Sequence, residues 1–141
     1  MARITAQTQN ERMKTQTATP QALHGALADR FNEHDLDGLL ALYDEEASLV
    51  PQPGTLVKGS QALRQALAGF LALKPQETFA ETLGVVIAGD LALTHSRWGL
   101  RGSHPSDGKP IRLEHFGAEV MRRQPDGSWK FLIDDPFAGD R

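Results

Sequence analysis

Five polar side chains in the C-terminal half have the types and spacing that acid–base chemistry requires. His95 lies two residues before Arg97. Glu119 follows His115 by four residues, and Asp134 stands in the last apolar run. Because side chains alternate across a strand, His95 shares a face with Arg97, and His115 shares one with Glu119. A histidine beside a carboxylate can serve as a general acid–base pair near neutral pH.

This cluster is open to three interpretations. In the first, Arg97 pairs with Glu119 or Asp134 and the network only fixes the sheet, since structural ion pairs also perturb pKa values. In the second, the cluster orients a small, partly apolar ligand. In the third, His115 or His95 is a base that a carboxylate orients, and Arg97 stabilises an enolate or carboxylate. The reaction would then be proton abstraction next to a carbonyl, dehydration or addition of water.

The composition limits the classes of protein to consider. The chain has 141 residues, a net charge of −3 and no cysteine, which fits one domain without disulfides, thiolate nucleophiles or cysteine-bound metals. Both charge signs are interspersed, so no basic stripe predicts nucleic-acid binding. No apolar run reaches the length of a membrane span. We expect a cytoplasmic protein that binds neither nucleic acid nor membranes.

Three helices are predicted ahead of most of the strands, over residues 20–33, 36–43 and 60–74. Thr19 and Asp35 have the side chains that cap the first two, and a proline follows Thr19 at the first helical position. Apolar residues three and four positions apart give each helix a buried face, and Tyr43 ends that face on the second helix. Residues 1–19 are polar and predict a flexible N-terminal arm, so the domain spans residues 20–141.

Strands are predicted at residues 47–51, 77–87, 91–101, 111–123 and 129–134. The turn around Asp126-Gly127 joins the last two as a hairpin, because glycine supplies the positive φ that such a turn needs. Helices first and strands afterwards predict an α+β domain whose helices cover one face of the sheet. The strands are long, which favours a curved sheet of antiparallel or mixed strands.

Three stretches resemble the nuclear-transport-factor-two-like superfamily. Residues 31–47 resemble its opening, with a helix, a short link containing Asp35, a second helix ending in an aromatic residue, then an acidic pair and Ala47. Residues 57–63 resemble the next element, in which a glycine starts the third helix. Residues 120–130 resemble the SnoaL-like and ketosteroid-isomerase-like branches.

The resemblance covers about residues 20–137 and implies a cystatin-like fold. A curved sheet would form a cone around a largely apolar pocket, closed by the three helices, and the outer sheet face would form a homodimer. The implied ligand is a small hydrophobic, carbonyl-containing molecule, transformed by isomerase-, cyclase- or dehydratase-type proton chemistry. The alternative is a non-catalytic, dimeric interaction or scaffold domain, since some members of the superfamily are association modules.

The resemblance to ketosteroid isomerases does not extend to their main catalytic groups. Their helix-one tyrosine falls at Leu27, and the aspartate that shuttles the proton falls at Pro51. Their second oxyanion donor falls at Glu119 and an accessory tyrosine at Tyr43. Because the base and the principal donor are missing, we do not expect steroid isomerisation.

The same alignment turns one face of each strand toward the pocket. It places Leu132 with Asp134 inside, and it places Trp98 and Trp129 on the outer face. His24 is expected on an exposed helix position without a role. The predicted site therefore has three catalytic residues and three substrate-binding residues, which are His115, Glu119 and Asp134, and Tyr43, His95 and Arg97. We expect no cofactor and no metal, since the sequence has neither a glycine-rich phosphate loop nor recognised metal-ligand spacing.

Overall fold

The computed structural model describes residues 16–140 of the chain. Most of the predicted arm, residues 1–15, lies outside this range. The main elements follow in chain order: α1 Pro20–Asn32, α2 Leu36–Leu40, β1 Tyr43–Gln52, β2 Thr55–Lys58, α3 Ser60–Leu71, β3 Glu77–Ala88, β4 Leu91–Ser103, β5 Pro110–Arg123 and β6 Trp129–Asp135. No helix within residues 16–140 has the length and apolar character needed to span a membrane.

The six strands form a curved, open sheet in the order β2-β1-β6-β5-β4-β3. Strand β1 runs parallel to β6, and every other neighbouring pair is antiparallel. This mixed sheet with three helices confirms the predicted α+β cone. Strand β2 was not predicted, because its four residues are too short to show a clear alternation of apolar and polar side chains.

The first helix begins as its sequence predicts. The Thr19 hydroxyl accepts a hydrogen bond from the Ala22 N–H at 3.0 Å, which satisfies one of the free donors of the first turn. The helix ends at Asn32, and two residues later His34 has a φ of 56°. This left-handed conformation turns the chain sharply into α2.

The second helix is shorter than predicted. It ends at Leu40, and Tyr43 is the first residue of β1. The apolar spacing continues past Leu40, but the Leu42 carbonyl accepts the Phe131 N–H at 2.9 Å, and Tyr43 pairs with Phe131. Pairing with β6 therefore replaces the last predicted turn of the helix, as tertiary contacts often override local propensity.

The predicted hairpin of β5 and β6 is confirmed, with Gly127 at a φ of 88° in the turn. An irregularity interrupts its register, because Val120 pairs with Ile133 but Met121 pairs with Phe131. Leu132 is thus an extra residue in β6. Such a bulge reverses the alternation of side chains beyond it.

The prediction of which side chains point toward the pocket is wrong for β4 and for part of β6. Thr94, not His95, pairs with Glu119, so Thr94 faces inward and His95 faces outward. In β6, the bulge brings Phe131 and Asp134 to the same inner side, and Phe131 replaces Leu132 there.

The two tryptophans lie inside the domain, contrary to the prediction. Trp129 belongs to the buried core, and Trp98 contributes to the wall of an inner pocket. The core joins the helices to the inner sheet face, and its largest fully buried side chains include Phe131, Leu23 and Met121. Burial of one such side chain contributes roughly 2–3 kcal/mol to stability.

Ordered packing begins before α1. Thr17 is buried, and its carbonyl accepts the Trp129 N–H at 2.8 Å. The Gln16 side chain accepts a hydrogen bond from Arg30 at 2.5 Å. Residues 16–19 therefore contact β6 and α1.

A close contact between the α3–β3 link and β4 explains a glycine in a strand. A Cβ atom on Gly102 would lie 2.1 Å from the Leu73 carbonyl oxygen, which is a backbone atom. That oxygen already accepts the Ser103 N–H at 2.6 Å. Only glycine lets the link approach β4 this closely.

We predict that Gly102→Ala lowers the free energy of unfolding by roughly 2–3 kcal/mol, because the backbone must move apart. Gly69→Ala is the matched control, since a Cβ on Gly69 of α3 meets nothing within 4 Å. Removing a glycine from a helix should raise stability by about 0.5–1 kcal/mol. Urea unfolding measures both changes, and equal stability of the two variants would contradict the packing argument.

Candidate functional site

The inner sheet face, with α1 and α3, encloses an apolar pocket. The enclosed space is about 50 Å³, and it widens to about 610 Å³ when the open mouth is counted. Its apolar walls carry several aromatic side chains, including Phe31, Phe70, Trp98 and Phe131. Apolar walls with a few converging polar groups are typical of small-molecule sites.

A buried carboxylate, Glu119 of β5, forms the first polar group of the pocket. It accepts hydrogen bonds from the Thr94 hydroxyl at 2.8 Å and the Ser96 hydroxyl at 2.7 Å, both from β4. His24 Nε2 lies 2.8 Å from the same carboxylate and donates to it. Three donors converge on Glu119, which is 3% exposed, so its charge is well satisfied inside the protein.

His24 connects this carboxylate to β3. Its Nδ1 lies 2.5 Å from the Thr82 hydroxyl, and its ring is 2% exposed. In the neutral tautomer that donates to Glu119, Nδ1 accepts from Thr82; the protonated ring donates to both partners. The ring position is therefore fixed from both sides.

A second polar group stands beside the first. The Tyr43 hydroxyl donates to Asp134 Oδ2 at 2.6 Å, and both side chains are buried. Asp134 pairs with Glu119 across the β5–β6 ladder, so the two carboxyl groups share the inner face. Among the described residues, none forms a hydrogen bond with Asp134 Oδ1, and Asp134 lines the pocket.

This environment changes the acidity of both members of the pair. Burial raises the pKa of Asp134 to about 7, helped by the negative charge of Glu119 and opposed by the Tyr43 hydrogen bond. Burial, followed by the Asp134 charge, raises the pKa of the Tyr43 hydroxyl well above its ordinary value. Near neutral pH, Asp134 is therefore present in both its neutral and its ionised form, while Tyr43 keeps its proton.

The structure brings three of the six predicted site residues together. Tyr43, Glu119 and Asp134 line the pocket. His95 and Arg97 lie on the outer face of β4, because the register places Thr94 and Ser96 inward. Instead of facing a ligand, Arg97 donates to Glu114 at 2.7 Å and lies over the Phe79 ring.

His115 has the predicted inner facing but a different neighbourhood. It pairs with Trp98 across the ladder, two residues along β5 from Gly117. Its Nδ1 lies 3.0 Å from an Asp140 carboxylate oxygen, and its ring contacts the rings of Trp98 and Phe137. It does not contribute to the pocket wall that contains Glu119.

His24 was not predicted to belong to the site, although its position in the sequence carries a signal. His24 precedes Leu27, Ala28 and Phe31 by three, four and seven residues, which is the spacing of one helix face. All three of those residues line the pocket. A histidine on an apolar stripe needs a polar partner, and Glu119 provides it.

His24 is the basic side chain that the described pocket wall places beside its acids. Across the part of the chain that the structure describes, neither lysine nor arginine contributes to this wall. The described residues also contain no group of three histidine or acidic side chains placed to hold a metal ion. Leu27, aligned with the steroid isomerase tyrosine, contributes an apolar side chain to the wall.

This combination of cone, pocket and order of elements agrees with the comparison to family models. Residues 25–131 match the model of the SnoaL-like domain. The chain belongs to the SnoaL-like domain family. None of the proteins with curated descriptions matches the sequence.

Solved structures share this fold at low sequence identity. A ketosteroid isomerase-like protein from Erwinia carotovora atroseptica has a TM-score of 0.70 at 19% identity, covering 84% of this chain and 92% of its own. A protein from Streptomyces avermitilis, provisionally named a dehydratase of the NTF2-like family, has a TM-score of 0.66 at 20% identity over 86% and 95%.

A third structure is named as an association domain instead of by an enzymatic activity. A protein from Thiobacillus denitrificans, provisionally named a calcium/calmodulin-dependent protein kinase type II association domain, has a TM-score of 0.66 at 18% identity over 83% and 92%. Together these structures show that this SnoaL-like chain has the NTF2-like fold, without fixing its activity.

We predict that Asp134 makes the stability of the protein fall as pH rises. Its pKa is about 7 in the folded protein, above the ordinary value of 3.8. The folded state thus holds the proton more tightly, and this contribution is complete below about pH 4 and lost as pH rises through 7. The stability difference between wild type and Asp134→Asn should change by on the order of 3 kcal/mol between pH 4 and 8.

Urea unfolding of both proteins across this pH range measures the effect. The comparison cancels the carboxylates that do not interact with Asp134, such as Asp44, because they are present in both proteins. A stability difference that does not change with pH would show that Asp134 titrates in the folded protein as it does in water.

Proposed function

We propose that this SnoaL-like domain binds a small, uncharged, hydrophobic molecule with a carbonyl group, and that Asp134 exchanges a proton with it. The observation that carries the proposal is the pairing of Asp134 with Tyr43. Tyr43 donates to Oδ2, so the proton of neutral Asp134 belongs on Oδ1, which has no partner among the described residues, and Asp134 lines the pocket. A ligand acceptor placed there completes the hydrogen bonding of the acid.

The charges of the pocket support an uncharged ligand. A carboxylate or phosphate would meet Glu119 and Asp134, and the described wall contains no lysine or arginine to balance its charge. Transfer of such an anion into an apolar space is costly without a paired charge. A ketone or aldehyde instead offers an acceptor to Asp134 and apolar surface to the aromatic walls.

The chemistry that this geometry supports is proton transfer next to a carbonyl. A carboxyl group with a pKa near the working pH is suited to general acid–base catalysis. In this mechanism Asp134 donates to the carbonyl oxygen or, when ionised, removes an adjacent proton. Glu119, which is hydrogen-bonded to His24, adds to the effect of burial in raising the pKa of Asp134. Reactions of the isomerase, cyclase or dehydratase type use such steps.

The experiment compares two ligands of equal shape, acetophenone and benzoate, by titration calorimetry. We expect acetophenone to bind at least roughly tenfold more tightly at pH 6, because benzoate carries an unbalanced charge. Affinity for acetophenone should fall as pH rises through about 7, where Asp134 loses its proton. In Asp134→Asn the affinity should not depend on pH, since the amide keeps a donor at every pH.

The control for this comparison is Asp90→Asn, which removes an acid from an exposed turn. Exchange of the methyl hydrogens of acetophenone in deuterium oxide, followed by NMR, then separates proton transfer from binding alone. If the wild type exchanges these hydrogens faster than buffer alone does, and Asp134→Asn does not, the result supports catalysis. Equal affinity for benzoate and acetophenone would refute the proposed ligand class.

A second candidate function, a dimeric association module, rests on the outer sheet face. One row across four strands is apolar and partly exposed: Val86, Leu93, Val120 and Ile133. Val86 is 65% exposed, and Leu93 and Ile133 are 45% and 46% exposed. A contiguous apolar patch of this kind is typical of an interface. We propose that a second copy of this chain covers it, which is compatible with ligand binding on the inner face.

We predict that Leu93→Glu converts a dimer to a monomer at micromolar concentration, because it places a charge in the centre of the apolar row. Leu56→Glu is the control, since Leu56 of β2 is also exposed but does not belong to the row. Light scattering measures the mass of each variant. A wild type that is already monomeric would rule out this interface.

A further inference from the structure

The segment that follows β6 lies against the edge of β5 and borders the pocket. This segment, Pro136–Asp140, is here called the strap. The β5–β6 ladder ends where Asp135 pairs with Ala118, and the strap continues past Gly117 and Phe116. Pro136 contributes to the pocket wall.

The strap is held by side chains instead of by a backbone ladder. Trp98 Nε1 donates to the Pro136 carbonyl at 2.7 Å. His115 Nδ1 lies 3.0 Å from Asp140 Oδ2, and the Phe137 ring packs edge-on against Trp98 and His115. Contacts of this kind separate at lower cost than strand pairing, because few backbone groups lose partners.

Two glycines allow the close approach of strap and strand. A Cβ on Gly117 would lie 3.2 Å from Pro136 Cα, and a Cβ on Gly139 would lie 2.7 Å from Phe116 Cβ. The same Cβ on Gly117 would lie 2.9 Å from the Ser96 hydroxyl oxygen and 2.7 Å from Glu119 Oε2. Glycine at this position therefore leaves room for the hydrogen bond between Ser96 and Glu119. The strap thus sits directly beside the acidic end of the pocket.

The exposure of the pocket wall shows which end opens. Glu119 and Phe131 are fully or almost fully buried, whereas Pro136, Trp98 and Phe70 are half-buried. The strap and Trp98 therefore form part of the rim. The enclosed space of about 50 Å³ is smaller than a drug-sized ligand needs, so the rim must move to admit one.

We propose that the strap is a gate to the pocket and that His115 is the positioning residue that holds it closed through Asp140. This inference rests on the proposed function in one respect, that the pocket takes up a ligand. Opening begins with release of the Asp140 contact; separation of Phe137 from His115 and of Trp98 from the Pro136 carbonyl then leaves Trp98 able to turn, which widens the mouth. His115 then affects how fast a ligand enters and leaves, while Asp134 affects how tightly it is held.

The first test locks the strap by a disulfide in a protein that has no other cysteine. Phe116→Cys with Gly139→Cys joins positions whose Cβ atoms would lie 2.7 Å apart, so the strap has to withdraw by about 1 Å to reach disulfide geometry. The ligand is prodan, a neutral aryl ketone whose emission changes in apolar surroundings, followed by stopped flow. Oxidised and reduced forms of the same variant are compared.

We expect oxidation to slow both association and dissociation by roughly tenfold or more, with a much smaller change in affinity. Reduction should restore the rates. Equal rates in the two forms would overturn the gate. If prodan and acetophenone fail to bind even the wild type, the proposed function fails, and the second test still decides whether the strap opens.

The second test needs no ligand. In a Trp129→Phe background, Trp98 is the remaining tryptophan, and acrylamide quenching reports its accessibility. Asp140→Asn weakens the contact with His115 without touching the pocket, and we expect the quenching constant to rise about twofold as the strap opens. Asp107→Asn, in the β4–β5 loop, is the matched control and should leave it unchanged. Equal quenching in both variants would show that His115 and Asp140 do not hold the strap.

Discussion

The arrangement of the interior depends on the hydrogen bonds that the buried carboxylate of Glu119 accepts. This carboxylate is attached to β5, accepts hydrogen bonds from two residues of β4 and is reached by His24 from α1, which itself contacts β3. Removal of any one donor would leave this buried carboxylate with one hydrogen bond fewer, at a cost of roughly 1–3 kcal/mol. Burial raises the pKa of Asp134, and the charge of Glu119 adds to this effect. The carboxylate that joins the elements of the interior therefore also contributes to the acidity of the pocket.

The two faces of the sheet differ in charge and polarity. Basic side chains of the strands, such as Arg97 and Arg122, form ion pairs at the surface with Glu114 and Asp44. The inner face holds acids and aromatic rings. Because neighbouring strands contribute paired residues to the same face, a substitution at one position changes the side-chain contacts along its row on that face. Surface substitutions can therefore change assembly while the pocket stays intact.

The fold was predictable from sequence to a larger extent than the site. Apolar periodicity, the caps at Thr19 and Asp35 and the hairpin turn located most elements within a few residues, because these signals are local. The direction in which side chains point depends on register, which is set by pairing between distant strands. The predicted facing of the Asp134 and Glu119 side chains agrees with the structure, whereas the predicted facing of His95 does not. His24 was missed because its partner, Glu119, is 95 residues away.

The extra residue in β6 determines which of two neighbouring acids faces the pocket. Without the bulge at Leu132, simple alternation from Phe131 would direct Ile133 and Asp135 inward instead of Asp134. The sequence carries two acids in succession here, Asp134 and Asp135. Regular alternation from Phe131 would therefore also turn a carboxyl group inward, and the bulge gives this place to Asp134, the acid that accepts a hydrogen bond from Tyr43. The acid of the pocket is thus selected by the pairing of β6 and not only by the residue types within it.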